Sequence, residues 1–437
     1  MNQTNQQFKT TYVTRTHKIQ IHRNHPYYKL LDELAFKSKN LYNLALYESR
    51  KVYFETNKFP NQFALDTILK DTDAYKELKT FHSHLPQNTL KLVAQNTKAF
   101  INATKQYYKT PERFNGKPKL PKYKPKTTGR FQLAFSYQEF NIKNNQIHIN
   151  SCGIHIPIPS HLKGLQKPIK LTDLTSPEPK LALQQIRIIP LKTKQYTIEL
   201  VYTKQLEVPI NQAPITKVAS IDLGINNLVT LVTTIPNEQP LIINGKPLKS
   251  YNKQFNKTLA HLKSQAMKCN NRHTTNQINI LYQKRNNYFN TKMHQIASYL
   301  TNYLVKNQIQ LLIVGYNPDW KQASKLSKQV NQTFIQIPYL KLIQILQYKC
   351  EEHGIHFKLQ EESYTSGTSF LDNEQPSQPF YNKTRRKYRG LFQTNQGNLI
   401  NADVNASYQI IVKAFPAYQY SSNLSLIYQN PRRVTVA

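Results

Sequence analysis

Acidic residues are scarce in this chain, 24 Asp and Glu against 59 Lys and Arg, so carboxylates at the ends of apolar runs stand out. Asp222 closes the run VASID and is followed by Leu223 and Gly224. Asp403 lies in NADVNASYQIIVK, where Ala402, Ala406, Ile410 and Ile411 suggest a helix packed on a sheet. Two carboxylates at one sheet edge of a polycation suit divalent-metal hydrolysis of phosphodiesters. Hard cations take oxygen ligands, and two ions about 3.5–4 Å apart can activate water and stabilise the leaving oxygen. A strand-end Asp also serves as a turn or helix cap, and composition leaves both readings open. A third position is notable for lacking a side chain. LLIVG, residues 311–315, reads as a buried strand ending at Gly315, where several nuclease folds carry a metal-binding glutamate.

The elements that must hold these residues follow from periodicity. The alternation of YVTRTHKIQIHR predicts a strand over 11–22. Leu30, Leu34, Leu41, Leu44 and Val52 mark a helix from Tyr27 to about Tyr53, and a second opens at Leu85-Pro86. FQLAF, EFNIKNNQIHIN (a hairpin turning at 143–145), LALQQIRIIP and YTIELVYT read as strands. Residues 1–25 and 127–210 therefore form one β domain with a helical lobe, 26–110, inserted in it. After Pro214 the pattern becomes α/β: strands TKVASID, LVTLVTT and PLIIN, helices over 251–267 and 277–306, the strand QLLIV, a helix over 335–352 and the strand IHFKLQ.

The formal net charge of +35 on 437 residues opposes compaction unless a polyanion neutralises it, so the expected partner is a nucleic acid. An anionic membrane fits poorly, because the cations are spread along the chain and no segment approaches the roughly 20 apolar residues of a span. The opening MNQTNQQFKT lacks a signal-peptide core, and a cytoplasmic or nucleoid-associated protein is expected. Cys152, Cys269 and Cys350 lie far apart, against a disulfide scaffold or a thiolate zinc site. The Pro- and Lys-rich linker 111–126 offers Lys117, Lys119, Lys122 and Lys124 to a phosphate backbone and Tyr123 to a base. His294 reads as a core residue, Trp320 as packed against the sheet, and His17, His22 and His25 lack ligand spacing.

SIDLGINNLVTLVT, residues 220–233, resembles the first motif of a RuvC-type, RNase H-like nuclease, and NADVNASYQI its last. With GYNPDWKQ, NQTFIQIPYLKLIQILQYK, EESYTSGTSF and RRKYRGLF between them, the second half is similar to TnpB (OrfB). These are RNA-guided nucleases of insertion-sequence transposons, related to miniature type V CRISPR effectors. The resemblance implies an α+β multidomain chain. A β-rich wedge with an inserted recognition lobe precedes an RNase H-like nuclease domain of residues 211–363 and 396–415. A target-nucleic-acid-binding insertion, 364–395, and a tail, 416–437, complete it. It implies a DNA endonuclease using two Mg²⁺ or Mn²⁺ ions, a guide RNA from the transposon end, double-stranded target DNA with a short flanking motif, and one monomer per guide. Carried over, Asp222 and Asp403 are metal ligands, Gly224 keeps the loop slim, and Asn401 and Asn405 flank the last Asp, with capping the readier role for Asn401.

The chain departs from that pattern twice. Family members often carry a four-cysteine zinc ribbon after YTS; here SYTSGTSFLDNEQPSQPFYNKTRRKYRG has no cysteine or histidine, so no zinc is expected. Arg385, Arg386 and Arg389 in this insertion are candidate contacts to guide or target backbone. The second departure is Gly315. In RNase H-like order its strand lies between the Asp222 strand and IHFKLQ, whose ends then stand roughly 10 Å apart, two spacings of about 4.8 Å. A carboxylate following IHFKLQ could reach inward over a glycine. Strand alternation leaves Glu361 and Glu362 both open; family members lacking the usual glutamate look similar here, with an acidic residue just before YTS, which favours Glu362. A nuclease-inactive RNA-guided repressor is the main rival. A DDE-type transposase is disfavoured, since nothing resembles a helix-turn-helix.

Overall fold

The computed structural model describes residues 8–168, 179–209, 214–317, 332, 335–388, 390–418, 428 and 430–436. Its contacts divide the mixed α/β chain into two compact units, Thr10–Leu206 and Glu207–Ala437 with Met1–Lys9.

In the first unit, β1 (Phe8–Ile21) leads into helices α1 (Tyr28–Thr56), α2 (Gln62–Leu69), α3 (Asp73–Lys79) and α4 (Leu85–Lys109). Pro86 sits in the first turn of α4, where a missing N–H costs nothing. The strands β2 (Leu133–Ser136), β3 (Asn141–Lys143), β4 (Gln146–Ile149), β5 (Ile154–Pro157), β6 (Leu181–Pro190) and β7 (Tyr196–Pro209) follow. They form two sheets, ordered β1-β7-β6-β2 and β3-β4-β5. Asn144 and Asn145 link β3 to β4 with φ of 50° and 56°, the left-handed pair that a two-residue hairpin turn needs. One core runs through helices and sheets, including Leu34, Leu41, Leu90, Phe135, Ile186 and Leu200. Asp32 of α1 fastens them further, accepting from Arg130 at 2.9 and 2.6 Å and from the Tyr196 hydroxyl at 2.8 Å.

The second unit is built on β8 (Val218–Leu223), β9 (Asn227–Thr233), β10 (Leu241–Asn244), β11 (Leu311–Gly315), β12 (His356–Gln360) and β16 (Arg432–Val434), in the order β12-β11-β8-β9-β10-β16. The helices α5 (Lys246–Asn270) and α6 (Asn276–Lys306) precede β11, and α7 (Tyr339–Glu352) joins β11 to β12. Because β8, β11 and β12 run parallel, they end on the same edge of the sheet. β11 is buried throughout, as expected of a parallel strand covered on both faces. Helices α6 and α7 cover one face, on Ala219, Ile221, Leu312 and Val314. Helix α8 (Ala402–Ala414) covers the other, through Val404, Tyr408, Ile410 and Ile411.

Before α8 the chain forms a small antiparallel sheet of β13 (Arg386–Tyr388), β14 (Leu391–Gln393) and β15 (Leu399–Asn401). The segment expected to be a tail contributes a sixth strand to the main sheet, β16, pairing parallel with β10 through Leu241↔Arg432 and Ile243↔Val434. No described helix is long and apolar enough to cross a membrane.

Candidate functional site

Asp222 is the penultimate residue of β8, on the α8 side of the sheet. Ser407 of α8 sets the distance between helix and sheet. Its carbonyl accepts from the Ser220 hydroxyl at 2.6 Å, while its own hydroxyl accepts from the Asp222 amide at 3.2 Å and donates to the Thr230 carbonyl at 2.8 Å. Asp403 lies four residues earlier, one turn toward the N-terminus on the same helix face, which carries it to the sheet edge where β8 ends. Asn401 caps this helix, accepting from the amides of Asp403 and Val404 at 3.0 and 3.2 Å. Asn405, which flanks Asp403 in sequence, is fully buried. It accepts from the Phe370 amide and donates to the Thr368 carbonyl, pinning the segment that follows Glu362.

The loop after Asp222 is held tightly. A Cβ on Gly224 would stand 2.5 Å from the Asn227 carbonyl oxygen, so the close turn between β8 and β9 requires glycine on that ground. The buried Tyr339 hydroxyl donates to the Gly224 carbonyl at 2.7 Å from the other face.

Glu362 and Glu361 part company just beyond β12. Lys413 of α8 takes Glu361 at 2.5 Å and also donates to the Ser363 carbonyl at 2.8 Å. Glu362 turns over Gly315, its Oε2 lying 2.7 Å from where a Cβ on that glycine would stand. This oxygen is buried and has no hydrogen-bond partner among the described residues, while Oε1 is 3.5 Å from the Asn317 side-chain amide nitrogen. Burial, then the charge of Glu361, pushes the Glu362 carboxyl up to about 7 against the pull of Lys413. Burial, then Glu362 and Asp403, holds Asp222 well above the usual carboxylate range, against Arg386 and the Leu223 amide. Asp222 thus feels both of the other carboxylates across the edge.

They are not gathered around a single point, however. Among the described residues no group of three or more His, Cys, Asp or Glu side chains is arranged to hold a metal ion. Asp403 is engaged by its neighbours: Oδ2 accepts from the Asn227 side-chain amide at 2.7 Å, and Oδ1 lies 3.9 Å from the Arg386 guanidinium. The donor set is nevertheless oxygen-only and includes an orphaned buried carboxylate oxygen, which fits a hard divalent cation and not zinc.

Of the cations expected to meet nucleic acid, Arg386 stands at this edge and is partly exposed. Arg385 is engaged within the insertion. It makes a largely buried bidentate pair with Glu374 at 2.7 and 2.8 Å, and Glu374 also accepts from the Ser369 amide and the Asn395 side chain. This hub ties three segments of the cysteine-free insertion. Arg389 and Trp320 lie outside the described residues. His294 is half-buried, its Nδ1 3.4 Å from the Tyr348 hydroxyl.

In the other unit, the basic linker is strapped along α1. Backbone carbonyls of Pro121, Lys124 and Lys126 accept from Arg50, Asn43 and Lys39. Lys117, Lys119 and Lys122 remain exposed. Lys124 is half-buried over the rings of Tyr42 and Phe131, and the Arg50 guanidinium lies 4.3 Å from the ring centre of Tyr123, covering one face.

Asn227, Ser407 and Arg433 escaped the sequence reading, since each acts through spacing that becomes visible only when α8 and β16 are docked. Ser407 alone left a signal, four residues after Asp403.

Residues 200–321 match the family model OrfB_IS605, described as a probable transposase, and residues 339–410 match that of a Cas12f1-like TNB domain. These matches bear out the likeness of the second half to TnpB (OrfB). No curated protein matches the chain. A solved complex of Cas12f1 with sgRNA and target DNA is 14% identical, with 92% of this chain and 100% of that one covered and a TM-score of 0.34. The mini-RNA-guided endonuclease CRISPR-Cas_phi3 is 10% identical over 93% and 92%, at 0.39. CasPhi-2 (Cas12j) bound to crRNA is 9% identical over 95% and 100%, also at 0.39.

Proposed function

We propose that this chain is an RNA-guided DNA endonuclease of an insertion-sequence transposon, hydrolysing phosphodiester bonds at a RuvC-like, RNase H-like site. The observation that carries the reading is the orphaned carboxylate oxygen of Glu362, buried over Gly315 beside the Asp222 strand. The matches to the OrfB_IS605 and Cas12f1-like TNB models support it. Asp222, Glu362 and Asp403 would hold two Mg²⁺ or Mn²⁺ ions, which when bound supply an activated water and charge for the leaving oxygen. The chain's own part is to fix the three carboxylates on separate elements, β8, α8 and the turn after β12, at one edge of the sheet. Arg386, exposed beside Asp403, is placed to meet a phosphate of the strand being cut. The residues before 211 would serve as wedge and recognition lobe, with Lys117, Lys119 and Lys122 along the backbone of the guide or target.

The test is to sequence the RNA that co-purifies with the chain, rebuild the complex with that RNA, and offer it matched double-stranded DNA in Mg²⁺. Cutting that requires both guide match and metal is the expected result. Guide-dependent binding with no cutting would establish the nuclease-inactive repressor instead.

A further inference from the structure

The C-terminal strand carries a link to the carboxylate edge. Arg433 of β16 donates to the Asn227 side-chain oxygen at 3.0 Å, and the same amide donates from its nitrogen to Asp403 Oδ2 at 2.7 Å. A carboxylate only accepts and a guanidinium only donates, so the Asn227 amide has one orientation that satisfies both. An amide is what bridges the two partners: Asp at this position would face Asp403 with a like charge, and an apolar residue would release both. Asn227 is itself the first residue of β9, set by the tight Gly224 turn that places Asp222.

We infer that Asn227 and Arg433 are positioning residues for Asp403, and that the C-terminal strand is a working part of the site. This rests on the nuclease reading above and deepens it. Hydrogen-bonded partners of ligating carboxylates typically change metal affinity 10- to 100-fold when removed. Asn227 restrains the Asp403 carboxylate directly; Arg433 acts only through Asn227. The neighbouring Arg432 contacts the Tyr299 hydroxyl instead, at 3.3 Å, which makes it an internal control on the same strand.

The experiment uses the full chain bound to its co-purified RNA and reads Mn²⁺ affinity by electron paramagnetic resonance, alongside guide-matched DNA cleavage and the melting temperature. Asn227→Ala is expected to weaken Mn²⁺ binding about 10-fold or more, and Arg433→Gln to a smaller extent, with melting temperatures close to the parent's. Arg433→Lys, which keeps a cationic donor, recovers most of the loss. The double variant binds no more weakly than Asn227→Ala alone, and Arg432→Gln behaves as the parent. Parental Mn²⁺ affinity and cleavage in both Asn227→Ala and Arg433→Gln would overturn the inference while leaving the nuclease reading intact. Additive losses in the double variant would overturn the relay. A parent that neither binds Mn²⁺ nor cuts would refute the nuclease reading itself, and this inference with it.

Discussion

Replacing Gly315 with alanine probes the geometry at its tightest point. The added Cβ would stand 2.7 Å from Glu362 Oε2 and 2.6 Å from Cδ1 of Ile410, where ordinary contact begins at 3.4 Å. The carboxylate must therefore retreat by at least 0.7 Å, the difference between 3.4 and 2.7 Å, and Ile410 by slightly more. Ile410 is fully buried, so overpacking should destabilise the fold by about 1–3 kcal/mol. Displacement of a reacting-site group by about 1 Å costs on the order of 10²-fold in rate. The expected phenotype is a lowered melting temperature and cleavage reduced by roughly that factor, with RNA binding and target binding unchanged. The double variant Gly315→Ala/Ile410→Val separates the two effects. Valine lacks the clashing Cδ1, so stability recovers toward that of Ile410→Val alone, while cleavage stays low because Glu362 remains displaced. Full cleavage by Gly315→Ala would refute the claim that the glycine makes room for a working carboxylate.

Three further outcomes follow from other contacts. Glu362 is more easily protonated in the folded protein than in the unfolded chain, so its contribution to metal-free stability should fall by about 3 kcal/mol as pH rises from about 4.5 to about 7; Glu362→Gln should remove this part of the slope in urea titrations. Arg385→Ala leaves Glu374 without its partner in a largely buried pair, at a cost of about 3 kcal/mol felt within the insertion, read as faster amide hydrogen exchange over 364–395. Replacing Lys117, Lys119 and Lys122 together by alanine should lower the slope of log affinity against log salt by roughly 2–3 in RNA or DNA binding, with the melting temperature unchanged.

The elements that carry the site were legible because their signals are local. The apolar run of β11 and the parallel β11–α7–β12 unit follow from periodicity and connection rules, while the place of Gly315 between the Asp222 strand and β12 came with the RNase H-like resemblance. What distinguishes Glu361 from Glu362 was not local. Lys413, fifty-two residues from Glu361 in sequence, pairs with that glutamate and leaves Glu362 over Gly315. The Arg385–Glu374 pair left no local signal either: in a run of cations nothing marks the one that faces a largely buried Glu374. The strand β16 was missed because RRV, short and cationic, lacks the apolar alternation of a strand and acquires its identity from the open edge of β10. Asn405 reads as a neighbour of Asp403 in sequence, but two residues of helix are a turn of about 200°, so it points into the insertion.

The central claim, that Glu362 has taken the place of a carboxylate missing from the Gly315 strand, is tested most directly by four single carboxamide variants. Asp222→Asn, Asp403→Asn, Glu362→Gln and Glu361→Gln would be compared, as RNA complexes, for Mg²⁺-dependent cleavage of matched DNA. Each keeps the side chain's shape while replacing one anionic carboxylate oxygen by a neutral, donating NH2. The account predicts that the first three lose cleavage while retaining guide-dependent target binding, and that Glu361→Gln cuts at close to the parental rate. Parental cleavage by Glu362→Gln, with Asp222→Asn inactive, would contradict it.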